Sequence, residues 1–220
     1  MVYRDAVDID RQANGDGGFG ELFRALASFQ GFPGRWWVAG GWAIDLFVGR
    51  RTRDHRDVDV MIPRSDQGAI HEHFRNCVRH KIVPHPDGLG GRGTLEPWRG
   101  ERLDLPVHQV LVEAGVGRIE ILLGEVHGRR WRFRRNPDVT LCLSDATRRS
   151  PAGVPHLAPE VVLLFKAKPL RSWDEADLAV AIPRLGEHGR RWLAGALAAS
   201  HPGHRWIDRL RAGDAPSPPC

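Results

Sequence analysis

The densest concentration of chemistry-bearing residues in this 220-residue chain is Asp57-Val58-Asp59. Residues i and i+2 of a strand project from one face, so both carboxylates stand side by side. Two like charges so placed repel, and a divalent cation offsets that repulsion. Magnesium suits the task because it takes few carboxylates and completes its shell with water and phosphate oxygens, as a nucleoside triphosphate requires. Two ions bridged by the pair would bind both the attacking and the leaving oxygen of an in-line displacement. Alone the pattern is weak, since surface strands also carry Asp-x-Asp.

Gly40-Gly41 ends a short apolar run and opens a helical one. Glycines there let backbone approach a ligand and aim the free N–H groups of a helix start at an anion. In isolation such a pair is equally a tight turn. Thr52, Arg53 and His55 follow, a hydroxyl and cationic donors just before the carboxylates. A phosphate grip, a polar linker and a metal pair in close succession are far rarer by chance than any one of them.

The run GGWAIDLFVGRRTRDHRDVDV resembles the signature of the nucleotidyltransferase superfamily. It is most similar to the branch of aminoglycoside 2''-adenylyltransferases and lincosamide nucleotidyltransferases, through the GGWAID opening and the T-R-x-H-x-D-x-D run. WRFRRNP (Trp131–Pro137) and HLAPEVVLLFKAK (His156–Lys168) also resemble members, so the similarity covers roughly residues 35–210. The resemblance implies that Asp57 and Asp59 hold magnesium, with two ions expected, and that Gly40 and Gly41 hold the phosphates of ATP or another nucleotide. It places Thr52, Arg53 and His55 beside the nucleotide. A third carboxylate is needed from a later strand, and Glu120 in RIEILL is the candidate metal ligand and general base, although Asp is more usual there. Glu125 and Asp104 are its rivals. Lys166 either reaches the triphosphate or emerges into solvent, and Lys168 is expected to be exposed.

The implied reaction transfers a nucleoside monophosphate, AMP from ATP, to a hydroxyl of a small molecule, an aminoglycoside or lincosamide antibiotic on branch analogy alone. Nucleotidyl transfer to a protein, as in antitoxin-type relatives, is one alternative. A non-catalytic nucleotide-binding protein on the same scaffold is another. A polycationic acceptor would need an acidic wall beside Asp57, for which Asp174 and Asp177 are candidates. The other reading of Asp174-Glu175-Ala176-Asp177 is a set of charges favouring the N-terminal end of its own helix.

These residues need elements to position them. Hydrophobic spacing predicts a helix over Glu21–Phe29, a short strand over Trp36–Ala39, a helix over Trp42–Val48 and a strand over Asp57–Ile62. An amphipathic helix is expected over Ser65–Val78, capped by Ser65. Strands are expected at Lys81–Pro84, Thr94–Trp98, Val107–Val112, Arg118–Leu123 and Arg130–Arg134. Arg118, Glu120 and Leu122 should share one strand face, opposite Ile119, Ile121 and Leu123. Helices are then read over His156–Lys168, Asp174–Ile182 and His188–Ala199. The fold class is α/β: a mixed sheet with flanking helices over residues 1–145, a small helical domain over 146–213 and a disordered tail over 214–220. The GDGGFG stretch within residues 1–20 reads as a loose lead-in.

Composition sets the outer bounds. Net charge is +5, and only three of 32 basic residues are lysines. Arginine suits phosphate ligands, but arginines scattered over solvated faces are the simpler reading, so charge does not make this a nucleic-acid binder. Cys77, Cys142 and Cys220 are odd in number and widely spaced, against a disulfide framework or zinc ribbon. With neither a signal core nor a run long enough for a membrane span, the chain reads as cytoplasmic. The eight tryptophans read mainly as core. Gly88, Gly90 and Gly93 match a dinucleotide fingerprint by letters, but Pro97 forbids the helix it needs. His71 and His73 lie on different helix faces, which disfavours zinc.

Overall fold

A computed structural model describes residues 18–85, 93–115, 117–168 and 170–212. Most of the expected lead-in, residues 86–92 and the expected tail lie outside the described residues.

The chain begins with α1 (Gly20–Leu26), whose Leu22, Phe23 and Leu26 are buried. A 3-10 turn (Ala27–Phe29) leads to β1 (Trp37–Val38) and α2 (Gly40–Val48). Gly49, at φ +86°, ends α2 by donating its N–H to the Asp45 carbonyl at 2.8 Å. Then come β2 (Val58–Pro63), a 3-10 turn (Arg64–Asp66), α3 (Gln67–His73), β3 (Val78–Val83), β4 (Thr94–Pro97), β5 (Gln109–Ala114) and β6 (Gly117–His127). The order continues with β7 (Arg130–Arg132), β8 (Thr140–Cys142), α4 (Leu143–Ala146), β9 (Thr147–Arg149) and β10 (Pro155–Leu157). Four helices finish it: α5 (Pro159–Lys166), α6 (Ser172–Ala181), α7 (Glu187–Ser200) and α8 (Trp206–Arg211).

The strands form one mixed sheet in the order β4-β3-β5-β6-β2-β1-β10-β9, with β7 on β6 and β8 on β7. The β2–β6 and β1–β10 pairs are parallel, whereas β1–β2 and β5–β6 are antiparallel. Alternation assigns the faces. Val58, Val60 and Ile62 of β2, with Ile119, Ile121 and Leu123 of β6, enter the core, each at most 5% exposed. That leaves Asp59 and Glu120 together on the other face.

Two elements differ from expectation. The helix expected over Ser65–Val78 is only Gln67–His73, and Val78 already belongs to β3. Ser65 donates to Asp66 at 2.6 Å instead of capping a helix, and Phe74 packs edge-on against Phe29 at 5.3 Å. The aromatic cluster takes the chain out of the helix.

The helix expected over His156–Lys168 starts at Pro159, because His156 and Leu157 are in β10, with His156 in parallel register with Val38. Proline disfavours helical backbone at the preceding residue, and Ala158 is at ψ 141°. The chain after residue 145 therefore still supplies strands β9 and β10 before its helices. His156 is 1% exposed, its Nδ1 2.9 Å from the Leu157 carbonyl, and burial pushes its pKa down to about 4.

Trp37, Trp42, Trp98, Trp131 and Trp206 are core residues, whereas Trp173 is 37% exposed. His71 meets Trp98, while His73 meets the Ser28 carbonyl at 2.7 Å. Among the described residues no helix is long and apolar enough to cross a membrane.

Candidate active site

Asp59 is the second residue of β2, and its parallel register partner on β6 is Glu120. Neighbours across parallel strands share a face, so these carboxylates stand side by side. Glu120 is only 7% exposed. Its rivals are engaged elsewhere. Glu125 accepts from Arg64 Nε at 2.6 Å, and Asp104, with its side chain 66% exposed, pairs with Arg102. Asp57 lies just before β2 and lines the same cavity as Asp59.

The glycine turn is packed onto these carboxylates. Gly40 has φ +60°, and a Cβ there would lie 2.0 Å from Asp59 Oδ2. Glycine is required at Gly40 both by the backbone and by the space that Asp59 fills. The first turn of α2 closes with Ala43 N–H on the Ala39 carbonyl at 3.3 Å, so the N–H groups of Gly40, Gly41 and Trp42 have no acceptor within the helix. A Cβ on Gly41 would meet Arg53 Nη2 at 2.3 Å and His55 Nδ1 at 2.5 Å. Gly41 thus makes room for two neighbouring side chains as well as exposing backbone.

A residue that sequence reasoning passed over organises this corner. Asp45 of α2 is fully buried; it accepts from Thr52 Oγ1 at 2.5 Å and meets His55 Nε2 at 2.6 Å. The His55 ring also packs on Trp42 at 4.2 Å. Thr52 is turned onto Asp45, and His55 lines the cavity. The available signal was a carboxylate inside the otherwise apolar run WAIDLFV.

The acidic wall expected from Asp174 and Asp177 is not there. The two residues are 1% and 0% exposed and hold cations in place. Asp177 accepts from Arg53 Nε at 2.8 Å and Nη2 at 2.9 Å, and pairs with Lys166 Nζ at 2.8 Å. Asp174 pairs with Lys166 at 3.2 Å and Arg171 Nε at 2.9 Å, and accepts from the Arg171 backbone at the start of α6. The helix-end reading of Asp174 therefore holds. Lys166 is not a solvated helix end, since its side chain is 10% exposed and two carboxylates bracket it. Burial opposes charge on Arg53, but its bonds to Asp177 outweigh that and hold its pKa above the ordinary value. Burial likewise opposes charge on Asp174, and Arg171 with Lys166 outweighs it, keeping the carboxyl below its usual range.

Two cavities meet at Asp59, Lys166 and Arg171. The larger, about 430 Å³, is lined by Gly41, Arg53, His55, Asp57 and Trp173 among others. The Trp173 ring lies under Arg171 at 5.0 Å and Arg56 at 5.8 Å, a cation-flanked indole at the cavity wall. The smaller, about 230 Å³, has apolar walls that include Met61, Leu122, Trp131 and Phe165, with Arg134, Arg135 and Lys168 among its cations. Lys168 is exposed as expected, but it faces this cavity.

Among the described residues no three His, Cys, Asp or Glu side chains are gathered closely enough to hold a metal unaided. Magnesium does not need that, because one or two carboxylates suffice when water and substrate oxygens complete its octahedron. Asp57 and Asp59 are hard oxygen donors of that kind, next to a helix start whose free N–H groups suit an anion.

A mixed sheet with paired carboxylates at the head of β2, facing a glycine-opened helix, is the nucleotidyltransferase fold, as the resemblance implied. Residues 21–84 match the family model of aminoglycoside-2''-adenylyltransferases. The chain is 40% identical over 40 residues to a lincosamide resistance protein from Staphylococcus haemolyticus, covering 18% of this chain and 25% of that protein. It is 47% identical over 34 residues to a 2''-aminoglycoside nucleotidyltransferase from Escherichia coli, covering 16% and 19%. Those matches thus span a quarter or less of the curated relatives' length. The structure of ANT(2'')-Ia in complex with adenylyl-2''-tobramycin is similar at TM-score 0.54 and 16% identity, over 80% of this chain and 95% of that one. Lincomycin-bound LnuA is similar at TM-score 0.50 and 19% identity, over 76% and 97%.

Proposed function

We propose that this protein is a magnesium-dependent nucleotidyltransferase that moves AMP from ATP to a hydroxyl of a small molecule and releases pyrophosphate. The observation that carries this reading is the Asp59–Glu120 register, set against the Gly40 start of α2. The N–H groups of Gly40 and Gly41 and the cations Arg53 and Lys166 hold the phosphates, and the Trp173 indole offers a face for the base. Thr52 supports this corner through Asp45, as His55 does while also bordering the nucleotide.

Asp57 and Asp59, with Glu120 beside them, would hold magnesium, two ions in the full site, and the metal would supply charge neutralisation at the reacting phosphate and at the leaving pyrophosphate. The acceptor oxygen attacks the α-phosphorus, the bond to the bridging oxygen breaks, and Glu120 takes the hydroxyl proton. The catalytic unit takes in β9 and β10 as well as the residues up to 145, and the segment from Pro159 onward supplies Lys166, Arg171 and Trp173. We place the protein in the cytoplasm, where ATP and magnesium are both at hand.

The test is incubation of the full chain with α-labelled ATP, magnesium and a panel of hydroxylated small molecules or lysate proteins. Label on a small molecule, lost in Asp59→Asn, is the expected result. Label on protein would favour the antitoxin-type alternative, and ATP binding without transfer would favour a non-catalytic scaffold.

A further inference from the structure

The two cavities differ in charge, and that difference concerns the acceptor. In-line displacement puts the entering oxygen and the departing pyrophosphate on opposite sides of the α-phosphorus. With Asp59 at the junction and Gly40 bordering the smaller cavity, the larger cavity, which Gly41, Arg53 and Trp173 line, takes the nucleotide. The smaller one then takes the acceptor. This step rests on the nucleotidyl-transfer reading above.

The acceptor cavity is cationic. Arg134, Arg135 and Lys168 line it beside Lys166 and Arg171, and its acidic lining residues are Asp59 and Glu125. Beyond Asp59, which the reaction uses, the carboxylates in reach are committed: Glu125 to Arg64 at 2.6 Å, Asp174 to Lys166 and Arg171, Asp177 to Arg53 and Lys166. Arg135 is anchored by donation to the Phe165 carbonyl at 3.1 Å, with Phe133 at 5.7 Å and Phe165 at 5.5 Å flanking its guanidinium. Arg134 lies over the same Phe165 ring at 5.9 Å. Two guanidinium groups held against one aromatic ring repel each other, and a bound anion relieves both.

We infer that the acceptor is a small hydroxylated molecule bearing an anionic group, a carboxylate, phosphate or sulfate, held by Arg134, Arg135 and Lys168. The apolar walls hold its carbon skeleton, and the hydroxyl is turned to Asp59 and Glu120. Titration behaviour agrees. Burial, with repulsion from Arg134, lowers Arg135 to about 10. Burial, then Arg134, lowers His108 to about 4, so the imidazole on this wall is neutral. A polycation would meet like charge in this cavity.

The probe is sulfate, titrated calorimetrically into the full chain already saturated with magnesium and α,β-methylene-ATP, which cannot react. The variants are Arg134→Gln and Lys168→Gln, the latter at an exposed side chain whose loss does not threaten folding. Sulfate should bind saturably, each variant should weaken it about tenfold, as loss of a charge-assisted contact does, and tobramycin should not bind in its place. The analogue should bind both variants as it binds wild type. Sulfate binding unchanged in both variants, absent in wild type, or replaced by tobramycin binding would overturn the inference. Analogue affinity falling in step with sulfate affinity would also overturn it, because the wall would then belong to the triphosphate. An analogue that fails to bind wild-type protein refutes nucleotidyl transfer itself and the inference with it.

Discussion

Replacing Gly40 with alanine separates backbone strain from damage to the site. The new Cβ would lie 2.0 Å from Asp59 Oδ2 and 2.9 Å from its Cγ. Ordinary contact needs roughly 3.5 Å, so the carboxylate must retreat by about 1.5 Å. The Asp59 backbone cannot follow, because its carbonyl accepts from Ala39 at 2.8 Å and its strand is paired on both sides. The side chain must rotate away from Gly40. Left-handed backbone costs alanine about 1–2 kcal/mol, which in a chain of this size lowers Tm by about 2–8 °C. Misplacing a catalytic group by 1 Å costs about 10²-fold in turnover. Gly49→Ala is the matched control, since Gly49 has φ +86° with nothing within 4 Å of its Cβ. Both variants should lose comparable stability in thermal unfolding, but only Gly40→Ala should lose magnesium-dependent transfer. Equal activity in the two variants would refute the claim that Gly40 exists to seat Asp59.

Glu120→Gln should bind magnesium–ATP nearly as wild type does and turn over about 10²–10⁴-fold more slowly, whereas undiminished kcat would leave Glu120 as a structural acid. Asp45→Asn removes the buried charge that orients both Thr52 and His55, and should cost about 1–3 kcal/mol in urea unfolding. His156 gives a pH dependence: its native pKa is about 4 against an ordinary 6.5, so on acidification the unfolded chain binds the proton first. Its contribution is present in full above the ordinary value and is lost as pH falls toward 4, about 3 kcal/mol by linkage. Urea unfolding at pH 7.5 and 4.5 should show that loss in wild type and much less of it in His156→Gln.

The sequence by itself determined the parts whose signals are local. The glycine pair, the i,i+2 carboxylates and the alternation of β2 and β6 rest on backbone geometry within a few residues, and they stand close to where they were expected. The partner of Asp59 was not legible in that way. Glu120, Glu125 and Asp104 were all available, and only the β2–β6 register puts Glu120 beside Asp59 while Arg64 occupies Glu125. Tertiary packing also decided that His156 and Leu157 extend against β1 and that α3 stops at His73, because a strand pairing or an aromatic cluster outweighs the local preference for helix. Asp174 and Asp177 illustrate the limit most clearly. As letters they are an acidic patch fit for a cationic ligand, but folding brings Arg53 and Lys166 onto them and cancels their charge. The sign of a pocket depends on which charges folding pairs. One of those pairings, Arg53 with Asp177, joins residues 124 positions apart, and no local pattern records it.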